Sequence, residues 1–270
     1  MKLSFSTLAC PLWNFAEVFS AAKDLGFDGI EIRGIGRQMY APMIREFSPE
    51  NRAYTIERFH SADLKIPVFT SAAYLYDGKN TESVLAEASD YIDLAAGMGV
   101  KYIRVLGDKD GAPDPALRIH EDVVLANYRK VCDMAADRDV TVLIETNGIF
   151  ADSGRLADFM AKADRKNAAV LWDIHHTFRY FGETPEKTVS NLGGLIRHVH
   201  LKDSVMDHGR VVYRMMGYGD LPVKDAVTVL NDIGYDGFYS LEWVKRWAPD
   251  LTEAGIALPQ FINYMKNILA

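Results

Sequence analysis

Four short apolar runs in this chain each lead to a side chain able to hold a metal ion. Val142-Leu143-Ile144 leads to Glu145, Val170-Leu171-Trp172 to Asp173, and Tyr239-Ser240-Leu241 to Glu242. The run His198-Val199-His200-Leu201 carries two imidazoles on one face, because side chains alternate along a strand. A lone acid at a strand end is usually a salt-bridge partner or a helix cap. Four metal-capable residues at equivalent places on successive strands are harder to explain that way. A carboxylate desolvated without a partner is costly, and three that converge require a cation. Three carboxylate oxygens and one imidazole nitrogen suit Mn²⁺, Mg²⁺ or Co²⁺, and also admit Zn²⁺. His198 lies deeper in its strand than His200 and reads as a satisfied interior histidine.

These side chains need a scaffold that brings strand ends together. Strands are expected at Leu3–Ala9, Gly29–Arg33, Ile66–Ser71, Tyr102–Leu106, Val140–Thr146, Val170–Ile174, Ile196–Leu201 and Phe238–Trp243. One β-plus-α unit per ~34 residues is the size of a βαβ series. Between them lie helical stripes: Phe15, Phe19, Ala22 and Leu25 before Gly26; Val84, Leu85, Ala88, Ile92 and Ala95 before Gly97 and Gly99; and Val223, Ala226, Val227 and Leu230 in a helix with Pro222 just inside its start. A last helix is expected near Pro259–Leu269. Leu25-Gly26-Phe27-Asp28-Gly29 is echoed by Ile233-Gly234-Tyr235-Asp236-Gly237, each a helix stop and tight turn before a strand. Eight such units point to a closed (β/α)₈ TIM barrel, α/β in class, forming a single domain over residues 1–270. An open doubly wound sheet would want a Gly-rich loop after the first strand, where this chain has Ala9-Cys10-Pro11-Leu12-Trp13.

Composition narrows the function. The 270 residues are 49% hydrophobic and 25% charged, with 30 basic against 37 acidic residues and a net charge of −7. That balance argues against nucleic acid as a partner, and no run approaches the ~20 apolar residues of a membrane span. Cys10 and Cys132 are too few for a disulfide framework. The first residues fit a signal peptide poorly, so the expected compartment is the cytoplasm.

Ile144-Glu145, Trp172-Asp173-Ile174-His175-His176, His198-Val199-His200-Leu201-Lys202-Asp203, Gly217-Tyr218-Gly219-Asp220-Leu221-Pro222 and Ser240-Leu241-Glu242-Trp243 occur in that order, after Gly26-Phe27-Asp28-Gly29-Ile30-Glu31. Together they resemble the xylose-isomerase-like TIM barrel superfamily, in its sugar phosphate isomerase/epimerase branch. The resemblance implies one divalent metal ion, Mn²⁺ first among candidates, bound by Glu145, Asp173, His200 and Glu242. It implies that Glu145 and Glu242 are also the catalytic acid/base pair. It places His176 against the substrate beside the metal and matches Arg210, more loosely, to a loop arginine that holds a substrate oxygen. Ketose epimerases of the branch carry a further acid at the place held here by Ala151, which counts against a free ketose 3-epimerase.

Other residues admit two readings. Trp13 could stack on a sugar ring or belong to the core. His175 should face away from His176 in a structural role, and Glu31 and Arg33 share a strand face where they could pair. Gly217 and Gly219 could offer backbone N–H groups to a phosphate, or simply form a turn and helix cap. Trp243-Val244-Lys245-Arg246-Trp247 could wall the substrate or pack on the last helix.

The expected activity is therefore a metal-dependent isomerase or epimerase on a small-molecule carbohydrate: a sugar, keto-sugar or sugar derivative. A proton next to a carbonyl is removed and a metal-stabilised enediolate forms. A lyase or dehydratase acting on a keto-sugar, keto-glycoside or inosose through the same enolate is the alternative. An apurinic endonuclease would need extra histidines on early strands, which are lacking, and a non-catalytic carbohydrate-binding subunit would not need the acid/base pair. Assembly into homo-oligomers is left open by the sequence.

Overall fold

Strands and helices alternate along the computed structural model, which describes residues 1–268. The eight parallel strands are β1 (Lys2–Ser6), β2 (Gly29–Glu31), β3 (Phe69–Tyr74), β4 (Tyr102–Leu106), β5 (Thr141–Glu145), β6 (Ala168–Asp173), β7 (Ile196–Leu201) and β10 (Phe238–Leu241). A two-stranded antiparallel hairpin, β8 (Asp203–Asp207) and β9 (Arg210–Arg214), follows β7. The helices are α1 (Phe15–Leu25), α2 (Arg52–Ser61), α3 (Thr81–Met98), α4 (Glu121–Ala135), α5 (Ser153–Ala163), α6 (Ile174–Phe181), α7 (Pro185–Leu192), α8 (Val223–Asp232) and α9 (Ala254–Ile268).

Neighbouring strands run in the order β2-β1-β10-β7-β6-β5-β4-β3. The two edges then meet: Ile30 N–H donates to Lys65 O at 2.9 Å and Thr70 N–H to Ile32 O at 3.0 Å, with parallel bridges at Gly29–Lys65 and Ile32–Phe69. The ring is thereby closed, as expected of a TIM barrel.

The alternation of side chains explains why the site-bearing strands read as continuous apolar runs. Val142, Ile144, Val170, Trp172, Val199, Leu201, Tyr239 and Leu241 join the large core that includes the helices. Their alternates Leu143, Ala169 and Leu171 form a smaller cluster with Val68. Both faces are covered, so both are apolar. The second set shares its face with the ends of the strands: Leu143 with Glu145, and Leu171 with Asp173.

The echoed turns are the same device in space. Gly26 (φ 76°) and Gly234 (φ 72°) both adopt the left-handed conformation that a side chain resists. Several boundaries differ from expectation. Strand β1 stops at Ser6 and tightens into a 3₁₀ turn at Thr7–Ala9. Strand β3 starts only at Phe69, because Pro67 has no N–H to give to a ladder. Strand β10 ends at Leu241, leaving Glu242 one residue beyond it. Helix α3 runs through Gly97 and stops at the left-handed Gly99. Pro222 caps α8 from outside rather than lying within it. The last helix begins earlier than expected, at Ala254, and Leu269 lies outside the described residues. Among the described residues no helix is long and apolar enough to cross a membrane, and both cysteines are free and buried.

Candidate active site

Glu145, Asp173, His200 and Glu242 come together at the end of the barrel where their strands terminate. Each is buried, and each offers one ligand atom within 4.8 Å of the others. His200 Nδ1 lies 3.4 Å from Glu242 Oε1, 3.8 Å from Asp173 Oδ2 and 3.9 Å from Glu145 Oε1. That nitrogen is buried without a hydrogen-bond partner. On the other side of the ring, His200 Nε2 is 3.0 Å from Glu31 Oε2, and the same oxygen is 2.9 Å from His198 Nε2. Glu31 therefore ties down both imidazoles, and His198 is the interior histidine expected. Glu31 does not pair with Arg33, as the shared strand face had suggested.

Asp173 also caps α6, its Oδ1 accepting from His175 N–H at 2.9 Å and His176 N–H at 3.3 Å. Oδ2 is left to face the cluster. The carboxylates here are balanced by two cations. Arg104 Nε lies 3.2 Å from Glu145 Oε2, and the Lys202 ammonium bridges Asp173 and Glu242. Burial pulls the Lys202 ammonium down, but Asp173 and Glu242 outweigh it and hold it well above its ordinary range. Burial likewise works against ionisation of Asp173, yet His176 and Lys202 keep it well below the usual carboxylate range. An unpaired imidazole nitrogen among three carboxylates fits a divalent metal ion.

Beside the cluster opens a cavity of about 430 Å³ whose lining includes Glu145, Glu242, His176 and Lys202. Arg33, Arg104, Tyr74, Tyr180, Tyr213 and Trp247 form much of the remaining wall. His176 Nδ1 lies 2.9 Å from Thr146 O, so that nitrogen carries the proton and Nε2 is the acceptor. His175 turns away to Ser204 Oγ at 3.0 Å.

The two other substrate-contact candidates do not reach this cavity. Arg210 is exposed, the first residue of β9 beside the His208–Gly209 turn. Trp13 is half-buried against the core, just before the Asn14 cap of α1. The aromatic wall comes instead from Tyr180 on α6, Tyr213 on β9 and Trp247. Of the run after β10, Val244 and Trp247 line the cavity, while Trp243 Nε1 donates to Thr252 O at 2.8 Å. The glycine turn is not free for a phosphate: Gly217 and Gly219 N–H each donate to Asp203 Oδ2 at 2.9 Å. Lys202, Arg33 and Arg104 were missed as members of the site, because a lysine after a strand or an arginine within one has no distinctive spacing.

Comparison with known proteins agrees with the fold. Residues 19–262 match the model of the family described as Xylose isomerase-like TIM barrel. A fructoselysine 3-epimerase of Escherichia coli O157:H7 is 22% identical over 263 residues, covering 92% of this chain and 92% of that protein. The crystal structure of the probable 3-DHS dehydratase AsbF from Bacillus anthracis superposes with a TM-score of 0.79 at 18% identity, covering 98% of this chain and 99% of that one. A structure of a protein named IOLI with a zinc atom gives a TM-score of 0.81 at 18% identity, over 100% and 98% of the two chains.

Proposed function

Because this chain belongs to the xylose isomerase-like TIM barrel family, we propose that it is a metal-dependent isomerase or epimerase. Its substrate in this reading is a sugar, keto-sugar or sugar derivative. One divalent ion per chain, Mn²⁺ ahead of Mg²⁺, Co²⁺ and Zn²⁺, is held by Glu145, Asp173, His200 and Glu242. The observation that carries the reading is the unpaired His200 Nδ1 facing three buried carboxylates beside a polar cavity.

When bound, a divalent ion supplies Lewis-acid polarisation of a carbonyl and stabilises the charge that develops beside it. The chain supplies the rest. Glu145 and Glu242 stand on β5 and just after β10, with β6 and β7 between them in the ring, so they reach a bound substrate from different sides. One carboxylate removes the proton next to the carbonyl and the other, as its acid, returns one. Return to the opposite face gives epimerisation, and return to the neighbouring carbon gives isomerisation. His176 Nε2 accepts a hydrogen bond from a substrate hydroxyl, and the tyrosine and tryptophan wall covers the C–H faces of the sugar and excludes water.

The same first step becomes elimination when a leaving group sits β to the acidic carbon. A dehydratase or lyase is thus the second reading, favoured by the likeness in fold to a probable dehydratase. A time course by NMR in D₂O, with metal-loaded protein and a panel of ketoses, keto-glycosides and inososes, separates the two. Exchange of a C–H next to a carbonyl with a change of configuration supports the epimerase, and loss of water or an alcohol supports the lyase. No exchange on any carbonyl substrate overturns both.

A further inference from the structure

The metal-ligand candidates occupy one contiguous part of the ring, β5, β6, β7 and β10. The rest of the ring carries a different chemistry. Arg33 follows β2 and Arg104 is on β4, on either side of β3. Both are buried and both line the cavity. Arg33 has no acidic partner within ion-pair distance among the described residues. Its guanidinium makes one hydrogen bond there, to Met39 O at 3.3 Å. Glu87, the acid near it, is committed to the Ala72 N–H at 2.6 Å. Arg104 is paired with Glu145 through Oε2 at 3.2 Å, while Oε1 of that carboxylate faces His200 Nδ1 at 3.9 Å. At the exposed rim of the same cavity Lys109 and Asp110 offset each other, so the unbalanced charge is the buried Arg33.

A buried guanidinium without a counter-charge is expensive, and two that face one cavity repel each other. Burial first, and the Arg104 charge next, work against protonation of Arg33. Arg104 has Glu145 as its counter-charge, whereas Arg33 has only the Met39 O hydrogen bond to offset that cost among the described residues. An anion entering the cavity would offset it, since planar guanidinium forks match the oxygens of a carboxylate or phosphoryl group.

We infer that the substrate of this cavity carries an oxyanion, carboxylate or phosphoryl, held by Arg33, with Arg104 standing between it and the metal-ligand strands. This deepens, and rests on, the carbohydrate reading proposed above: the molecule transformed is an acidic or phosphorylated sugar derivative rather than a neutral one. The anion end would be anchored at Arg33, after β2, which leaves the carbonyl end to reach the carboxylates of Glu145 and Glu242.

Three ketoses with one skeleton test this: D-fructose, D-fructuronate and D-fructose 6-phosphate, each titrated calorimetrically into the metal-loaded full chain. At least one of the anionic pair should bind about tenfold tighter than D-fructose, and which one does so separates carboxylate from phosphoryl. Arg33→Gln should abolish that margin with metal content unchanged, and Arg33→Lys should keep part of it. Equal or undetectable binding of all three by the wild-type protein overturns the inference, as does a margin that survives in Arg33→Gln. The D₂O exchange assay is read alongside. Exchange on neutral ketoses without anion preference removes only this inference, whereas anion preference without C–H exchange on any ketose removes the enzymatic reading and leaves the anion site.

Discussion

Glu31 orients His200: its Oε2 stands 3.0 Å from Nε2, which turns the opposite nitrogen toward Glu145, Asp173 and Glu242. The His200 Nε2–H donates to Glu31, which leaves Nδ1 as the nitrogen aimed at the cluster and available to a metal that displaces its proton. Burial opposes the charge on Glu31, but His200 and His198 outweigh it and hold this carboxyl well below its ordinary range. Glu31→Gln keeps the shape and removes the charge that fixes the ring. Loss of such a partner typically costs 10–100-fold in metal affinity. We expect a loss of that size, measured by competition with a chelator, in a variant that still folds. An unchanged metal affinity would show that His200 is not a ligand.

Lys202 and a divalent ion in the cluster would compete for Asp173 Oδ2. The ammonium bridges Asp173 and Glu242, so metal entry must push it toward the cavity that it already lines. Lys202→Met retains the stem and removes the charge. The chelated variant should melt below chelated wild type, because its carboxylates repel with one counter-charge fewer. Its metal affinity should rise, since nothing has to be displaced. Metal at a hundredfold excess over its dissociation constant adds about 2.7 kcal/mol to a folded state that alone binds it, and thermal melts with and without metal read both effects. Equal melting of the two chelated proteins, with equal metal affinity, would remove Lys202 from the cluster.

The parts of the site that were legible in the sequence are those tied to strand periodicity. Glu145, Asp173 and Glu242 each follow an apolar run, and Cβ alternation places His198 and His200 on one face, so their convergence follows once the barrel closes. What was not legible depends on contacts between segments far apart in the chain. Glu31 is 169 residues from His200, and its neighbour Arg33 offered a plausible local partner. The glycine pair before α8 looked free for an anion until Asp203, an unremarked residue after β7, was seen to take both N–H groups. The β8–β9 hairpin interrupts the βα pattern, and its alternation is too weakly apolar to announce a strand pair. It carries Arg210 into solvent and Tyr213 into the cavity wall, which reverses the expectation for that loop.

His175 makes stability depend on pH. Burial first, then the Lys202 charge, push its imidazole from 6.5 down to about 2. The folded ring thus stays neutral where the unfolded one takes a proton. This contribution is intact above about 6.5 and is lost as the pH falls toward about 2. One extra proton on the unfolded state steepens the loss by about 1.4 kcal/mol per pH unit. His175→Gln, which can still bond Ser204, should show a shallower fall in urea stability between pH 6.5 and 5 than wild type, both with chelator. Identical slopes would mean that the ring is protonated in the fold.

The last prediction divides the work of the two glutamates. Glu145 comes from β5 and Glu242 from the end of β10, and their separate approaches suit a proton removed from one face and returned to the other. Glu→Gln at either position keeps the shape and one oxygen donor but removes the basic carboxylate. General acid–base groups typically contribute 10²–10⁴-fold, so each variant should lose about that much in kcat while retaining part of its metal. The division of labour appears in isotope exchange. If one carboxylate removes the proton and the other returns it, the variant lacking the returning acid should still wash deuterium from D₂O into the substrate without forming product. The variant lacking the removing base should do neither. Near wild-type turnover by both variants, with metal bound, would dismiss the two-carboxylate mechanism and shift the proton transfers to other groups of the cavity wall, His176 and Lys202 first among them.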